Sequence, residues 1–448
     1  MSKNISQEPC LFNIYLRLQS LKNCLSSKTL TQLIIIVTAL LSMTGRVTML
    51  GISRWTGDGG SYRTVQRFFN SAIDWKNVQW SLIQKYFQSG SDTIIIAGDE
   101  TTVTKSGKKT FGIDRFFSSL FGKTVPGLSF FVFSLVSKKK RISLPLMVQQ
   151  MHHTKEEKIE TEKNSSGSVK KRGKGRPKGS KNKTKEDVDL SPYLMTIKNM
   201  LDQAMQMIEK NINVKYAVFD GAFGHNDALQ MVKRCGLNII SKLKKNSELY
   251  FPYHGVYSGK GPRKKYGDKI NYKKIPAKFL KKSTCEKSIK TDIYQMTMLH
   301  KLFSQQLNIV IIVKENLKTK SRDFVILFSS DLDLNFETLI EFYKLRFQIE
   351  FNFRDAKQYW GLEDFMNIKE TPITNAVNLA FFMVNLSHIL INEVRPHNAE
   401  FSVQDLKAHF RGSKYVDEIL KLFREKPDPI LIQQIFKEIT TIGKINTD

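Results

Sequence analysis

Thr93-Ile94-Ile95-Ile96-Ala97 is a short, continuous apolar run without polar alternation. A strand with one face in water alternates apolar and polar side chains; an unbroken run belongs to a strand buried on both faces. Covering both faces takes helices above and below a sheet, which points to an α/β fold. Lys215-Tyr216-Ala217-Val218-Phe219 is a second run of this kind. Asn226 to Cys235 then has helical spacing and Leu237 to Leu243 is again apolar, completing a β-α-β unit. Leu128 to Ser137 and Ile142 to Val148 supply further strands, and Phe111 to Lys123, between the first run and Leu128, reads as an aromatic, basic loop.

Both buried-type strands run into acids: Asp99-Glu100-Thr101-Thr102 and Asp220-Gly221-Ala222-Phe223. In α/β sheets, sites are built at the carboxyl ends of strands. An Asp after a strand is more often a turn or helix cap, so neither carries weight alone. Glu100 adjoins Asp99, and strand alternation points the two in opposite directions, so only one of them fits a shared site. A third carboxylate lies in Tyr343 to Lys357, a stretch without Gly or Pro that reads as part of one helix, with Asn335 or Asp333 as N-cap and Gly361 as stop. At about 100° per residue, Tyr343, Arg346, Glu350 and Lys357 fall within roughly 60° of one another. A carboxylate flanked by two cations and a phenol suits a metal ion beside a phosphate. Asp99, Asp220 and Glu350, without His or Cys, make a hard-oxygen set for Mg²⁺ or Mn²⁺. Two such ions about 4 Å apart serve phosphoryl transfer.

Charge points the same way. Lys and Arg number 70 against 42 Asp and Glu, a formal +28, and nucleic acid is the first polyanion to match it. The basic residues cluster. Lys170 to Lys185 holds nine Lys or Arg and no acid, inside a stretch (154–190) that lacks the apolar residues for a core and reads as a disordered insert. Its centre, Lys174-Gly175-Arg176-Pro177-Lys178, is similar to a minor-groove AT-hook; the plainer reading is a polybasic tether on phosphates. Ser61 to Phe69 follows a Gly-rich turn and has a Ser N-cap. With Arg63 and Arg67 four apart, it suits a recognition helix of a helix-turn-helix unit, or else a packing helix with a basic face.

Residues 1–90 and 363–448 carry helical periodicity, whereas 244–332 is dominated by strands at Thr291 to Leu299, Leu307 to Val313 and Asp323 to Ser329. The apolar run Leu33 to Met43 is shorter than the 18 or more residues of a spanning helix. Cys10, Cys24, Cys235 and Cys285 show no metal spacing and suggest a reducing, intracellular setting without zinc.

Tyr343-x2-Arg346-x3-Glu350-x6-Lys357 resembles, without a gap, the Tyr-Arg-Glu-Lys signature of bacterial insertion-sequence DDE transposases, the group with a β-strand insertion in an RNase H-like catalytic domain. Asp220-Gly221-Ala222-Phe223 and Asp99-Glu100-Thr101 are similar to its two Asp motifs. The resemblance covers about residues 90–360. It implies an α/β RNase H-like core (91–243) with an all-β insertion (244–332) and a helix bearing the Glu (333–362). An all-α DNA-binding region (1–90) and a helical C-terminal region (363–448) would flank it. It further implies that Asp99, Asp220 and Glu350 bind two Mg²⁺ or Mn²⁺ ions, and that Tyr343, Arg346 and Lys357 grip phosphates of transposon-end DNA. The partners implied are double-stranded ends and target DNA, engaged by a dimer in a synaptic complex in the bacterial cytoplasm, at the nucleoid. Many relatives form a DNA hairpin and stack a flipped base on a Trp of the insertion. Here Trp55, Trp75, Trp80 and Trp360 all lie elsewhere, leaving Tyr250, Tyr253, Tyr257 and Tyr272 as stand-ins. A catalytically inactive DNA-binding derivative and a metal-dependent nuclease of the same fold are the competing readings.

Each phosphate neutralised on duplex DNA contributes about −0.9 to the log–log salt slope of binding. Deleting residues 170–185 is therefore expected to weaken DNA binding and flatten that slope, as measured by fluorescence anisotropy between 50 and 200 mM salt; an unchanged slope would show that the insert does not touch DNA.

Overall fold

The computed structural model describes residues 12–57, 59–87, 92–118, 122–152, 184–257, 259, 261–425 and 427–446. Lys174, Arg176 and Lys178 lie outside them.

A single twelve-stranded sheet organises the molecule. Its first half contains β1 (Ile94–Thr104), β2 (Asp114–Ser118), β3 (Lys123–Ser137), β4 (Ile142–Met151), β5 (Val214–Val218) and β6 (Asn238–Leu243). The order β4-β3-β1-β5-β6 is antiparallel across β4, β3 and β1 and parallel from β1 through β5 to β6. This mixed order, with helices on both faces, fits an RNase H-like α/β core. Two expectations need correction. Part of the anticipated loop Phe111 to Lys123 is β2, recruited by pairing with residues 123–127 of β3. And β1 does not stop at Asp99; antiparallel pairing with β3 carries it on to Thr104, opposite Gly127.

The strand-rich stretch 244–332 does not stand apart from this sheet. It forms β7 (Leu249–Pro252), β8 (Tyr266–Lys269), β9 (Leu280–Glu286), β10 (Ile289–His300), β11 (Gln306–Asn316) and β12 (Arg322–Ser329). β12 pairs antiparallel with β6, so the sheet continues outward as β12-β11-β10-β7-β8.

Alternation along β1 divides the core. Ile95 and Ala97 face α8 (Phe336–Leu345), whose Leu339, Ile340, Phe342 and Leu345 cover β5, β6, β11 and β12. Ile94 and Ile96 face the larger helical layer. That layer combines α2 (Ser27–Ser42), α4 (Tyr62–Phe69) and α5 (Trp75–Phe87) with α6 (Pro192–Ile208), α7 (Asn226–Arg234) and the C-terminal α10 (Glu370–Val394). The short helices α1 (Ile14–Leu18) and α3 (Met49–Ser53) complete the N-terminal group. Buried amides tie its ends together. Asn375 Nδ2 donates to Phe69 O and Ser71 O while its Oδ1 accepts from Trp75 Nε1. Asn385 joins Gln79 to Pro145 of β4. A helix of α10's length and composition could cross a bilayer, but 83 % of its apolar window is buried inside the protein.

The helix expected to run unbroken to Gly361 is two helices, α8 and α9 (Gln348–Gln358), separated at Arg346-Phe347. Asn335 does cap α8, accepting from Thr338 N, and Gly361 does end α9 in a left-handed conformation (φ +75°). The break has a packing cause: α8 lies on β6, β11 and β12, whereas α9 lies on β1, β4 and α10, and one straight rod cannot serve both. α11 (Val403–Leu420) runs straight through Gly412. A Cβ at Gly412 would stand 2.7 Å from Ile439 O, so the glycine admits α12 (Pro429–Ile439) rather than ending a helix.

His409 on α11 packs edge-on to Phe12 with ring centroids 5.3 Å apart. Burial, helped by Lys444, pushes its pKa down to about 4. Between that value and the ordinary 6.5, the folded protein binds fewer protons than the unfolded chain. Stability is therefore full above pH 6.5 and falls as the pH drops toward 4. His409→Gln is expected to remove up to about 3 kcal/mol of that acid-induced loss, read from urea unfolding at pH 7 and pH 4.5; an unchanged pH dependence would refute the assignment.

Candidate active site

Parallel pairing of β1 with β5 ends at Ala97 opposite Val218. Asp99 and Asp220 each follow by two residues, so the register brings them level at the carboxyl end of the pair. The chain turns opposite ways from this point, toward β3 from β1 and toward β6 from β5. That switch in direction opens the crevice in which α/β sheets build sites. Asp220 is held by the turn it starts. Its Oδ1 accepts from Ala222 N at 3.0 Å, and its carbonyl accepts from Ser241 Oγ. Gly224 is required in this turn because a Cβ there would lie 2.3 Å from Lys242 O.

The break between α8 and α9 sits over this crevice. Arg346 is the C-cap of α8 and Glu350 lies in the first turn of α9. A cation at a helix C-terminus and an anion at an N-terminus are each favoured by the helix dipoles. Arg346 Nη1 reaches Asp99 Oδ2 at 2.5 Å, and Nη2 reaches Glu350 Oε1 at 3.4 Å. The guanidinium is 5.9 Å from the Tyr343 ring. Arg346 is almost enclosed (side chain 12 % exposed) whereas Glu350 opens to solvent (43 %). Arg346 Nε is buried without a hydrogen-bond partner.

Burial pushes the Asp99 carboxyl up to about 6; Arg346 and the Glu100 amide oppose the rise, while Asp220 and Glu350 add to it. Burial likewise raises the Tyr343 phenol, which stays protonated. Lys357 donates to Thr102 O at 2.9 Å, three residues beyond Asp99 on β1, and pairs with Glu363 at 3.1 Å.

Glu100 faces away. Its carboxylate accepts from Tyr193 Oη at 2.7 Å and from Ser129 Oγ, on the side of the sheet covered by α6. Of the two adjacent acids, Asp99 is therefore the one aimed at Arg346. No spacing in the sequence links Tyr193 or Ser129 to Glu100; only the folded sheet reveals them. Arg63 and Arg67 are exposed on α4 without ion-pair partners among the described residues, and they belong to the helical layer rather than to this crevice. Tyr253 and Tyr257 are exposed beside Lys264 and Arg263. Tyr250 lies beneath Lys301. Tyr272 instead stacks on Phe324 and donates to Ser247 O, so it is a packing residue.

The described residues gather no group of three or more His, Cys, Asp or Glu side chains that could hold a metal ion as placed. The guanidinium of Arg346 stands between Asp99 and Glu350 instead. The donor chemistry nonetheless fits a hard divalent cation. All three groups are carboxylates, the donor type that hard divalent cations take, and Asp99 lies near enough to Asp220 and Glu350 for each to add to the rise that burial causes.

An RNase H-like core with acids at the switch point defines a class of enzymes acting on phosphodiesters. The chain belongs to the DDE superfamily endonuclease family, whose model matches residues 20–300. It is accordingly an enzyme of the nuclease and transposase type, in a superfamily that typically uses divalent metals. The match includes Asp99 and Asp220 and ends before α8 and α9, so Glu350 rests on geometry. No match was found among curated proteins.

Arg346→Ala leaves the partly buried Asp99 beside two other acids without its cation. It is expected to cost about 3 kcal/mol at pH 7.5 in metal-free buffer. Because Asp99 titrates near 6, the cost should shrink as the pH falls to 5 and the carboxyl takes up a proton. Urea unfolding at both pH values checks this; a cost independent of pH would separate Arg346 from Asp99.

Proposed function

We propose that the protein is a DNA transposase that cuts and joins the ends of an insertion sequence by two-metal-ion phosphoryl transfer. The observation that carries the reading is the assembly of Asp99, Asp220, Glu350, Arg346 and Tyr343 in one crevice, from elements up to 251 residues apart (350 − 99). A phosphate-gripping set beside the acids is what DNA-end chemistry needs. The +28 charge, with Arg63, Arg67 and the segment around Lys174, Arg176 and Lys178, supports a double-stranded DNA partner, for ends and target alike. A dimer holding two ends, in the cytoplasm at the nucleoid, belongs to the same proposal.

Asp99, Asp220 and Glu350 would hold Mg²⁺ or Mn²⁺, which would supply Lewis acidity at a phosphodiester. The remaining work falls to side chains. Arg346, which here spans Asp99 and Glu350, would turn its planar fork to phosphate oxygens when those acids are otherwise engaged, with Lys357 a point charge and Tyr343 a neutral donor that burial keeps protonated. They orient one phosphodiester for in-line attack by water, which releases a 3′-hydroxyl at the element's end. The same grip then holds that end while the hydroxyl attacks a second phosphodiester. The exposed Tyr253 and Tyr257, each with a cation over its ring, provide stacking surfaces for unpaired bases.

With Mg²⁺, supercoiled plasmid and cognate ends, strand transfer is the expected outcome. Nicking without transfer would make the protein a nuclease of the same fold, and binding without cleavage an inactive derivative. Glu350→Gln should lower cleavage at least 10³-fold while end affinity changes less than about threefold, since electrostatic stabilisation at a reacting phosphate is worth this much. Retained cleavage would remove Glu350 from the catalytic set.

A further inference from the structure

α9 has a second charged side. At about 100° per residue, Lys357 lies roughly 20° from Glu350, whereas Asp355 and Tyr359 lie roughly 140° and 180° away. That far side borders a cavity of about 340 Å³ closed by the β3–β4 turn, α10 and the start of α11. Three arginines line it, Arg141 from the turn, Arg354 from α9 and Arg395 from the end of α10, against one acid, Asp355. Arg354 already spends two donors on Asp355 Oδ1, both at 3.1 Å. Arg141 and Arg395 are exposed and have no ion-pair partner among the described residues. His388 reaches in from α10, and its Nε2 is buried with no hydrogen-bond partner. Burial, opposed by Asp355 and reinforced by Arg395 and Arg354, holds this imidazole below its usual range, so it stays neutral and offers a single N–H.

Two unpaired guanidiniums and an unpartnered imidazole facing one cavity match a tetrahedral oxyanion. The surroundings favour a polyanion over a free ion. Arg141 ends the run Lys138-Lys139-Lys140-Arg141 and adopts a left-handed conformation (φ +52°) that few non-glycine residues take. Lys138 is paired with Glu341 and Lys140 is bonded to Tyr86 O, leaving Lys139 exposed two residues before Arg141. Cations in series suit phosphates in series.

We propose that this cavity is a second, non-catalytic phosphate site for the DNA backbone, held by Arg141, Arg395 and His388 on the opposite side of α9 from the carboxylates. The site rests on the DNA-processing reading above and extends it. DNA gripped on both sides of α9 brackets the helix that carries Glu350.

The test uses full-length Glu350→Gln protein, so that duplex is bound and not cut. Its parent form is compared with one also carrying Arg141→Gln and Arg395→Gln, by anisotropy on a 30-base-pair duplex from 50 to 200 mM salt. Loss of one or two phosphate contacts should make the log–log slope shallower by about 1 to 2 and weaken binding several-fold at 100 mM, with Arg141→Lys and Arg395→Lys restoring the slope. Equal slopes for parent and glutamine form, with both binding, would overturn this site alone. No duplex binding by either would overturn the DNA-processing reading and this site with it. If inorganic phosphate raises the thermal midpoint of the parent but not of the glutamine form while the slopes stay equal, the site serves a free anion and the backbone assignment fails.

Discussion

The molecule is arranged around a charge problem at the centre of its sheet. Asp99 stands where β1 loses its parallel neighbour, buried enough that its carboxyl resists ionising and close enough to Asp220 and Glu350 to resist further. A lone carboxylate in such surroundings is costly unless a cation meets it. Arg346 meets it, and can do so only because the chain bends between α8 and α9 above this point. The bend places a helix C-terminus and a helix N-terminus side by side, which favours arginine on one and glutamate on the other. Sheet register, helix break and charge pairing are thus one arrangement seen from three sides.

Much of this was legible in the sequence, for identifiable reasons. Unbroken apolar runs marked β1 and β5 because burial on both faces leaves no room for alternation. The Asn335 cap and the Gly361 stop were readable because cap chemistry is local. What failed was whatever depends on partners distant in sequence. The extension of β1 past Asp99 is set by β3, and β2 exists because β3 offers it an edge. The junction at Arg346-Phe347 contains no Gly or Pro, so no local signal announces it; the cause is that α8 and α9 pack on different strands. Gly412, a residue type that often ends helices, here makes room for a neighbouring one. The candidate site fared similarly. The three acids and the Tyr343–Lys357 set were visible as spacing, but the choice between Asp99 and Glu100 needed Tyr193 and Ser129 on the other side of the sheet.

The strand-rich stretch after β6 also takes on a different meaning once β12 is seen to pair with β6. Hydrogen bonds run without interruption from the exposed tyrosines near β7 and β8 to the strands bearing Asp99 and Asp220. Aromatic surface and acid crevice are therefore fixed to one continuous sheet, which sets the distance between them.

Finally, the ends of the chain are built into each other. Lys407 and Arg411 of α11 donate to Leu40 O and Ser42 O at the close of α2, and Asn375 holds the backbone on either side of Asn70. On the ribosome, with synthesis at about 5–20 residues per second, the first helices must wait tens of seconds for these partners to emerge. Through that interval the face of α2 that packs on α11 lacks its cover. A truncated product ending before residue 370 would lack both α10 and α11 and would leave that face of α2 in water.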